Sequence, residues 1–386
     1  MDATAFAPGR NLALSPGKVV YRNTLIELIQ YEPKGGAVHR TPLLILPPWI
    51  NKYYILDLQP KNSMVRHLVE QGFTVFMVSW RNPDAAMEGT TIEDYIDLGP
   101  LAASDVVREI TGSPTVNVMG YCIGGTLLAM TLAWLAAKGD DGRFGAVTFM
   151  VSLQDFSKVG DTAVFLDEPT IDFMEQQMME RGYLDSREMS NMFNLLRSND
   201  LIWSNLVNNY LLGQKPPAFD VLFWNADTTR MAAGLHADFV DLAMDNKLLT
   251  PGSLTILGTA IDLSQVDTDA YLVAGIADHI TPWQNCYRST QLLGGTSRFI
   301  LSTSGHIAAL VNPPTNPKAR YQVSKTTPAD PEAWLKTAAT EHGSWWPDML
   351  AWLGDRCGKD KPAPDELGGG GLRPLADAPG TYVFDT

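Results

Sequence analysis

Gly120-Tyr121-Cys122-Ile123-Gly124 sets a thiol between two glycines, each two residues away. The form is G-x-C-x-G, the G-x-S-x-G nucleophile elbow with sulfur in place of oxygen. Such an elbow holds its nucleophile in a strained backbone conformation, and its glycines let strand and helix approach without a clash. The thiol then projects above the carboxyl edge of a sheet. A helix starting at Ile123 aims its first N–H groups at the sulfur, a field that favours a thiolate and a developing oxyanion. The motif by itself recurs by chance. A buried structural cysteine in a glycine-rich turn reads the same way, so the partners must decide.

An elbow works with an orienting acid and a base that follow it in that order along the chain. "YLVAGIADHITPW" offers Asp278 directly after the apolar run Ala270 to Ala274, and "RFILSTSGHIAAL" offers His306 directly after Ser297 to Ser302. In these positions His306, oriented by Asp278, takes the Cys122 proton. Asp155 and Asp262 also follow apolar stretches and stand as alternative acids. His279 adjoins Asp278 as a second candidate base with an accessory role; its other reading is a loop residue capping the following helix. His39, His67, His236 and His342 lie in patterns suggesting surface or helix faces and receive no role. Cys286 falls inside a helical pattern and reads as core, and Cys357, near the tail, reads as incidental. An oxyanion hole uses the N–H of Ile123 and a second from "PPWINKYYI". Pro47 and Pro48 have no N–H. The second donor is then Trp49, Ile50 or Asn51, with Ile50 chosen, and a rigid turn without catalytic duty is the alternative.

These residues need a sheet to position them. Val19–Gln30 alternates as early strands. Leu43–Leu46, Thr74–Ser79, Val116–Met119, Ala146–Leu153, Ala270–Ala274 and Ser297–Ser302 read as short buried strands. Helical patterns cover Met64–Gln71, Ile92–Ile110, Ile123–Lys138 and Trp283–Leu293. Apolar strands alternating with helices imply an α/β fold with a largely parallel sheet covered on both faces. Asp161 to about Asn246 shows no clear strand. It carries Met-, Leu-, Phe- and Trp-rich helical pieces, "FMEQQMMERGYL" and "LIWSNLVNNYLLG", and reads as an inserted helical cap whose methionines suit an adaptable apolar lining. Residues 1–152 form the first part of the core, 153–250 the cap, and 251–386 the second part of the core. The tail "DELGGGGLRPLADAPGT" is flexible by composition.

Composition narrows the function classes. The 386 residues are 45% hydrophobic and 19% charged, as in a globular protein and unlike a disordered one. A net charge of −14 leaves no basic excess to neutralise phosphates, which argues against a general nucleic-acid binder. Three dispersed cysteines without a Cys-x-x-Cys pair argue against a disulfide framework or a zinc site and fit a reducing cytoplasm. The longest apolar run, Thr126–Ala137, falls short of the about 20 residues that a membrane span needs.

Several longer stretches carry a resemblance: "GRNLALSPGKVVYRN", "LLILPPWINKYYILDL", "FMVSWRNPD", "GYCIGGTLLA", "PPAFDVLFWNADTTR", "AGIADHITPW" and "SGHIAALVNPP". With them the chain resembles the catalytic region of poly(3-hydroxyalkanoate) synthases of the single-polypeptide, short-chain kind. The resemblance runs from about Gly9 to Tyr321. It implies an α/β-hydrolase fold with a cap inserted after about the sixth strand. It puts the family's catalytic cysteine on Cys122, its acid on Asp278, its general base on His306 and a histidine beside the acid on His279. The family usually carries an N-terminal helical domain ahead of the region matching Gly9, and this chain begins almost at the catalytic core.

The implied substrates are an (R)-3-hydroxyacyl thioester of coenzyme A, such as 3-hydroxybutyryl-CoA, and a growing polyester. No cofactor or metal is implied. A homodimer at the surface of cytoplasmic polymer granules is. The thiol fits that chemistry, because acyl transfer between thiols is nearly isoenergetic and keeps the acyl group activated. A cysteine-dependent thioesterase or lactone hydrolase of the same fold is the alternative function. A non-catalytic granule scaffold would show a broken triad.

Overall fold

The computed structural model describes residues 5–161, 168–188 and 219–386. Its main sheet has eleven strands: β1 Gly17–Arg22, β2 Ile26–Tyr31, β3 Leu43–Leu46, β4 Val75–Trp80, β5 Val116–Tyr121, β6 Phe144–Met150, β7 Ala270–Gly275, β8 Ser297–Ser302, β9 Arg320–Val323, β10 Ala339–His342 and β11 Ala376–Asp377. They lie in the order β10-β9-β8-β7-β6-β5-β3-β4-β2-β1-β11. The six central strands, β8 to β4 in that order, are parallel, and both flanks are antiparallel. Helices α1 Met64–Glu70, α2 Ile92–Ile96, α3 Ala102–Thr111, α4 Ile123–Lys138, α5 Glu168–Arg181, α6 Asp220–Ala226, α7 Ala233–Met244, α8 Trp283–Leu292, α9 His306–Leu310, α10 Pro331–Thr337 and α11 Trp346–Gly354 complete the α/β architecture.

The central strands are buried on both faces because both faces meet apolar layers. Leu44, Leu46, Val116 and Val118 join one core, while Leu43, Ile45, Met119 and Tyr121 join the other. That alternation is the period of two that a strand imposes. Chain order reverses around β3, which lies between β4 and β5. In an open α/β sheet the crevice at the carboxyl edge of such a reversal is where ligands bind. β3 leads there into the loop from Pro47, and β5 leads into Cys122.

Ile92–Ile110 is not one regular helix. Asp97–Leu101 forms a π segment between α2 and α3 and contains Pro100. Proline removes an N–H, and such π bulges locally widen a helix. Gly99 lies here against Trp80, where an added Cβ would fall 2.6 Å from the indole ring.

The tail is a second correction. Composition suggests flexibility, but β11 pairs with β1, Gly368 N–H donates to Gln30 Oε1 at 2.7 Å, and Val383 is buried. Glycines 368–371 all have positive φ, so they shape turns rather than loosen the chain. The buried Glu27 carboxylate accepts from the N–H groups of Thr381 and Tyr382, from Thr381 Oγ1 and from Arg22.

Between β6 and β7 the described residues add α5, α6 and α7 and two short pairings, Tyr183–Leu184 with Met231–Ala232 and Thr255–Ile256 with Thr259–Ala260, but no strand of the main sheet. "LIWSNLVNNYLLG" lies outside the described residues.

Removing the buried Glu27 carboxylate deprives the Thr381 and Tyr382 N–H groups, Thr381 Oγ1 and the Arg22 guanidinium of their shared acceptor. Glu27→Ala should therefore cost about 3 kcal/mol in chemical denaturation. It should also expose residues 376–386 to proteolysis while the sheet core stays protected.

Candidate active site

Cys122 sits at the junction of β5 and α4 with φ 51° and ψ −134°, a positive φ that is rare for a side chain of this kind. Its N–H donates to Met150 O at 3.0 Å and its carbonyl accepts from Gly125 N–H at 3.0 Å, so the bend is held from both sides. A Cβ on Gly120 would lie 2.8 Å from Gly125 Cα, and one on Gly124 would lie 2.6 Å from both Leu46 O and Pro47 O. The spacing G-x-C-x-G is thus what lets α4 leave the strand at this angle. The thiol is half-buried.

The acid and base arrive on two neighbouring loops. β7 and β8 run in register to Gly275 and Ser302, and Ala277 N–H then donates to Ser304 O at 3.2 Å. His306 opens α9. The end of that short helix is fixed by two buried indoles, Trp345 Nε1 on Ala309 O at 2.8 Å and Trp346 Nε1 on Leu310 O at 3.2 Å. His306 Nδ1 lies 2.6 Å from Asp278 Oδ2. Asp278 Oδ1 accepts from the N–H groups of Ile280 and Thr281, each at 2.9 Å, and Oδ2 from Thr281 Oγ1 at 2.6 Å.

These contacts set the charges. Burial opposes protonation of the His306 ring. The charge of the Asp278 carboxylate and the nearby Cys122 sulfur outweigh it and raise the pKa from 6.5 to about 10. Burial likewise pushes Asp278 up, but His306 and the Thr281 donors hold it below the usual carboxylate range.

Ile123 is the first residue of α4, so its N–H has no acceptor within the helix. The loop carrying Ile50 is held through its carbonyls. Trp80 Nε1 donates to Pro47 O at 2.9 Å, Thr229 Oγ1 to Trp49 O at 2.6 Å, and Trp224 Nε1 to Lys52 O at 2.7 Å. The Trp49 carbonyl and the Ile50 N–H share one planar peptide, so Thr229 also fixes the direction of that N–H.

The other candidates have different surroundings. Asp155 is buried and accepts from Ser157 N–H and Asn246 Nδ2, with Arg288 2.5 Å away. It joins the loop after β6 to Asn246 and to Arg288 of α8. Asp262 caps a short 3₁₀ turn through Ser264 N–H. His279 is half-buried, and its carbonyl accepts from Asp161 N–H at 2.9 Å. It does not cap α8, whose N-cap residue is Pro282. His39 pairs with Asp360 and His67 packs beside Trp346. His236 is buried on α7 and its pKa is lowered by burial to about 4, while His342 is exposed on β10. Cys286 is core, with its thiol pushed up by burial. Cys357 is not incidental: it is fully buried, accepts from Asn117 Nδ2 at 3.2 Å, and burial pushes its thiol up to about 12.

Two contacts were not foreseen, those of Thr281 and Thr229. Asp278-x-x-Thr281 is the spacing of an Asx turn closed by a threonine, a signal present in the sequence. Thr229 carried none, because its partner lies far away along the chain.

Residues 1–68 match a family model described as the N-terminus of poly-beta-hydroxybutyrate polymerase (PhaC), and residues 41–313 match one described as the alpha/beta hydrolase fold. Poly(3-hydroxyalkanoate) polymerase 2 of Ectopseudomonas oleovorans is 46% identical over 384 residues, covering 100% of this chain and 68% of its own length. The poly(3-hydroxyalkanoate) polymerase subunit of Cupriavidus necator is 44% identical over 388 residues, covering 99% and 66%. The poly(3-hydroxyalkanoate) polymerase of Methylorubrum extorquens is 45% identical over 385 residues, covering 99% and 63%. The chain spans about two thirds of the length of these relatives.

A methyl group at position 124 has nowhere to go. Gly124→Ala should lower stability by about 2–3 kcal/mol in a melting experiment. The stability that His306 contributes through its raised pKa is complete below about pH 6.5 and is lost as pH rises through about 10. The stability gap between the wild type and His306→Gln, measured by urea unfolding, should therefore be wide near pH 6 and narrow towards pH 10. A gap that is constant across this window would mean that the folded ring is neutral.

Proposed function

Because the chain belongs to the poly(3-hydroxyalkanoate) polymerase family, we propose that it joins short-chain (R)-3-hydroxyacyl units, delivered as coenzyme A thioesters, into a polyester through an acyl-Cys122 intermediate. The observation that carries this reading is His306 Nδ1 at 2.6 Å from Asp278 Oδ2, together with Cys122 at a strained elbow whose sulfur acts electrostatically on the same ring. His306 holds the proton of Cys122, leaving a thiolate beside an imidazolium. Sγ bonds to the thioester carbonyl carbon, and the N–H groups of Ile123 and Ile50 receive the developing oxyanion. The carbon–sulfur bond to coenzyme A breaks, and its thiolate leaves with the proton from His306. The ring, now neutral, takes the proton of a 3-hydroxyl group. That oxygen attacks the acyl-cysteine, an ester forms, and the thiolate–imidazolium pair returns.

Water competes with the hydroxyl, so a dry site favours polymer over acid. The inserted segment supports such a site. Its Phe239 packs edge-on against Trp49, and Thr229 and Trp224 bond to the loop that carries Ile50. We assign residues 153–250 to a cap over Cys122. His279, beside the acid, has an accessory role in shaping the site. No helix among the described residues is long and apolar enough to cross a membrane. A homodimer working at the surface of cytoplasmic polymer granules belongs to the same proposal.

Supplied with 3-hydroxybutyryl-CoA, the protein should release coenzyme A and form polymer. Free 3-hydroxybutyrate as the sole product would instead identify a thioesterase. Cys122→Ala should abolish coenzyme A release with an unchanged circular dichroism spectrum, and undiminished release would sink the assignment.

A further inference from the structure

Thr281 Oγ1 lies 2.6 Å from Asp278 Oδ2 and 3.2 Å from His306 Nδ1, while that same Oδ2 is 2.6 Å from Nδ1. The three atoms close a triangle. An ionised carboxylate only accepts, so the hydroxyl donates to Oδ2 and turns a lone pair towards the Nδ1–H. The ring proton is then shared between two oxygens. Nothing in the turn itself requires this hydroxyl. Thr281 is buried and already placed by its N–H on Asp278 Oδ1, by Ile280 N–H on the same oxygen, and by its carbonyl, which accepts from Cys286 Sγ at 3.7 Å.

We propose that Thr281 is a positioning residue of this site, whose hydroxyl sets how strongly Asp278 holds the His306 ring proton. The inference rests on the acyl-transfer reading above. Once Cys122 carries the acyl group, His306 must be neutral to accept a proton from the incoming hydroxyl. A bare carboxylate keeps the imidazolium charged, whereas a hydroxyl donating to that carboxylate disperses its charge and loosens its hold. Among the described residues, the titratable groups bearing on the ring are Asp278, from the loop after β7, and Cys122, from the elbow. Cys286 on α8 faces both of them and is kept neutral by burial. The hydroxyl of Thr281 is therefore the neutral group placed to moderate the pair.

The test is the pH profile of coenzyme A release from 3-hydroxybutyryl-CoA for the wild type, Thr281→Val, Thr281→Ala and Thr281→Ser. Melting temperature serves as the fold control. The two variants without a hydroxyl should move the acid limb upward by about 0.5–1 pH unit, and the serine variant should follow the wild type. Should either valine or alanine keep the wild-type limb, or serine shift as far as they do, the proposal is overturned. If one hydroxyl-free variant does not fold, the other carries the test. Alkylation of Cys122 by iodoacetamide, followed by peptide mass, separates the two levels. Modified Cys122 with intact coenzyme A release would overturn the acyl-transfer reading itself. Lost release together with superimposable limbs would overturn only the role of Thr281.

Discussion

The first turn of α4 rests against the backbone leaving β3 with no side chain between them. Gly124 makes this contact possible, since a Cβ there would collide with the carbonyl oxygens of Leu46 and Pro47. Two groups are thereby held on one side of the sheet edge: the N–H of Ile123 and the loop that carries Ile50. The same approach forces Cys122 to a positive φ, a strain of about 1–3 kcal/mol. Hydrogen bonds to Met150 and from Gly125 offset that strain, and α4, apolar around its whole circumference, is anchored by burial. A strained residue persists only where its surroundings over-determine it, and these do.

Around that fixed point the electrostatics follow from burial. His306 and Asp278 are both nearly removed from water, where an unpaired charge is costly. The carboxylate is satisfied by four donors, two of them backbone N–H groups from its own turn. Such a carboxylate keeps its charge, and that charge favours the protonated ring. The ring in turn faces a sulfur. A base held beside the sulfur can take up a proton without passing it to solvent, which suits a pocket from which water is to be kept out.

Legibility in the sequence followed the range of the interactions. The central strands were readable because burial on both faces demands unbroken apolar runs, and α4 spans the residues its pattern predicts. The positions of Asp278 and His306 were readable because both follow strand ends directly. Pro100 interrupts a pattern of continuous helical period, and the neighbouring Gly99 packs against Trp80, a contact set by a distant strand. The tail misled because glycine signals freedom and required positive φ alike. Only the partners, Glu27, Gln30 and β1, all more than three hundred residues away, decide between them. The burial of Cys357 is likewise invisible locally, since its partner Asn117 belongs to a distant strand.

The coupling between the inserted segment and the sheet edge has one further consequence. Thr229 and Trp224 lie between β6 and β7 in the chain, and their partners are the carbonyls of Trp49 and Lys52, in the loop that carries Ile50. A peptide plane cannot turn its carbonyl without turning the next N–H by the same angle. Any displacement of residues 224–229 away from the sheet edge must therefore release the Trp49–Ile50 peptide. Under the proposed chemistry, covering the sulfur and aiming the oxyanion donor are then a single event. Under that proposal, a cap lifted from Cys122 would also leave the Ile50 N–H without the bond that orients it.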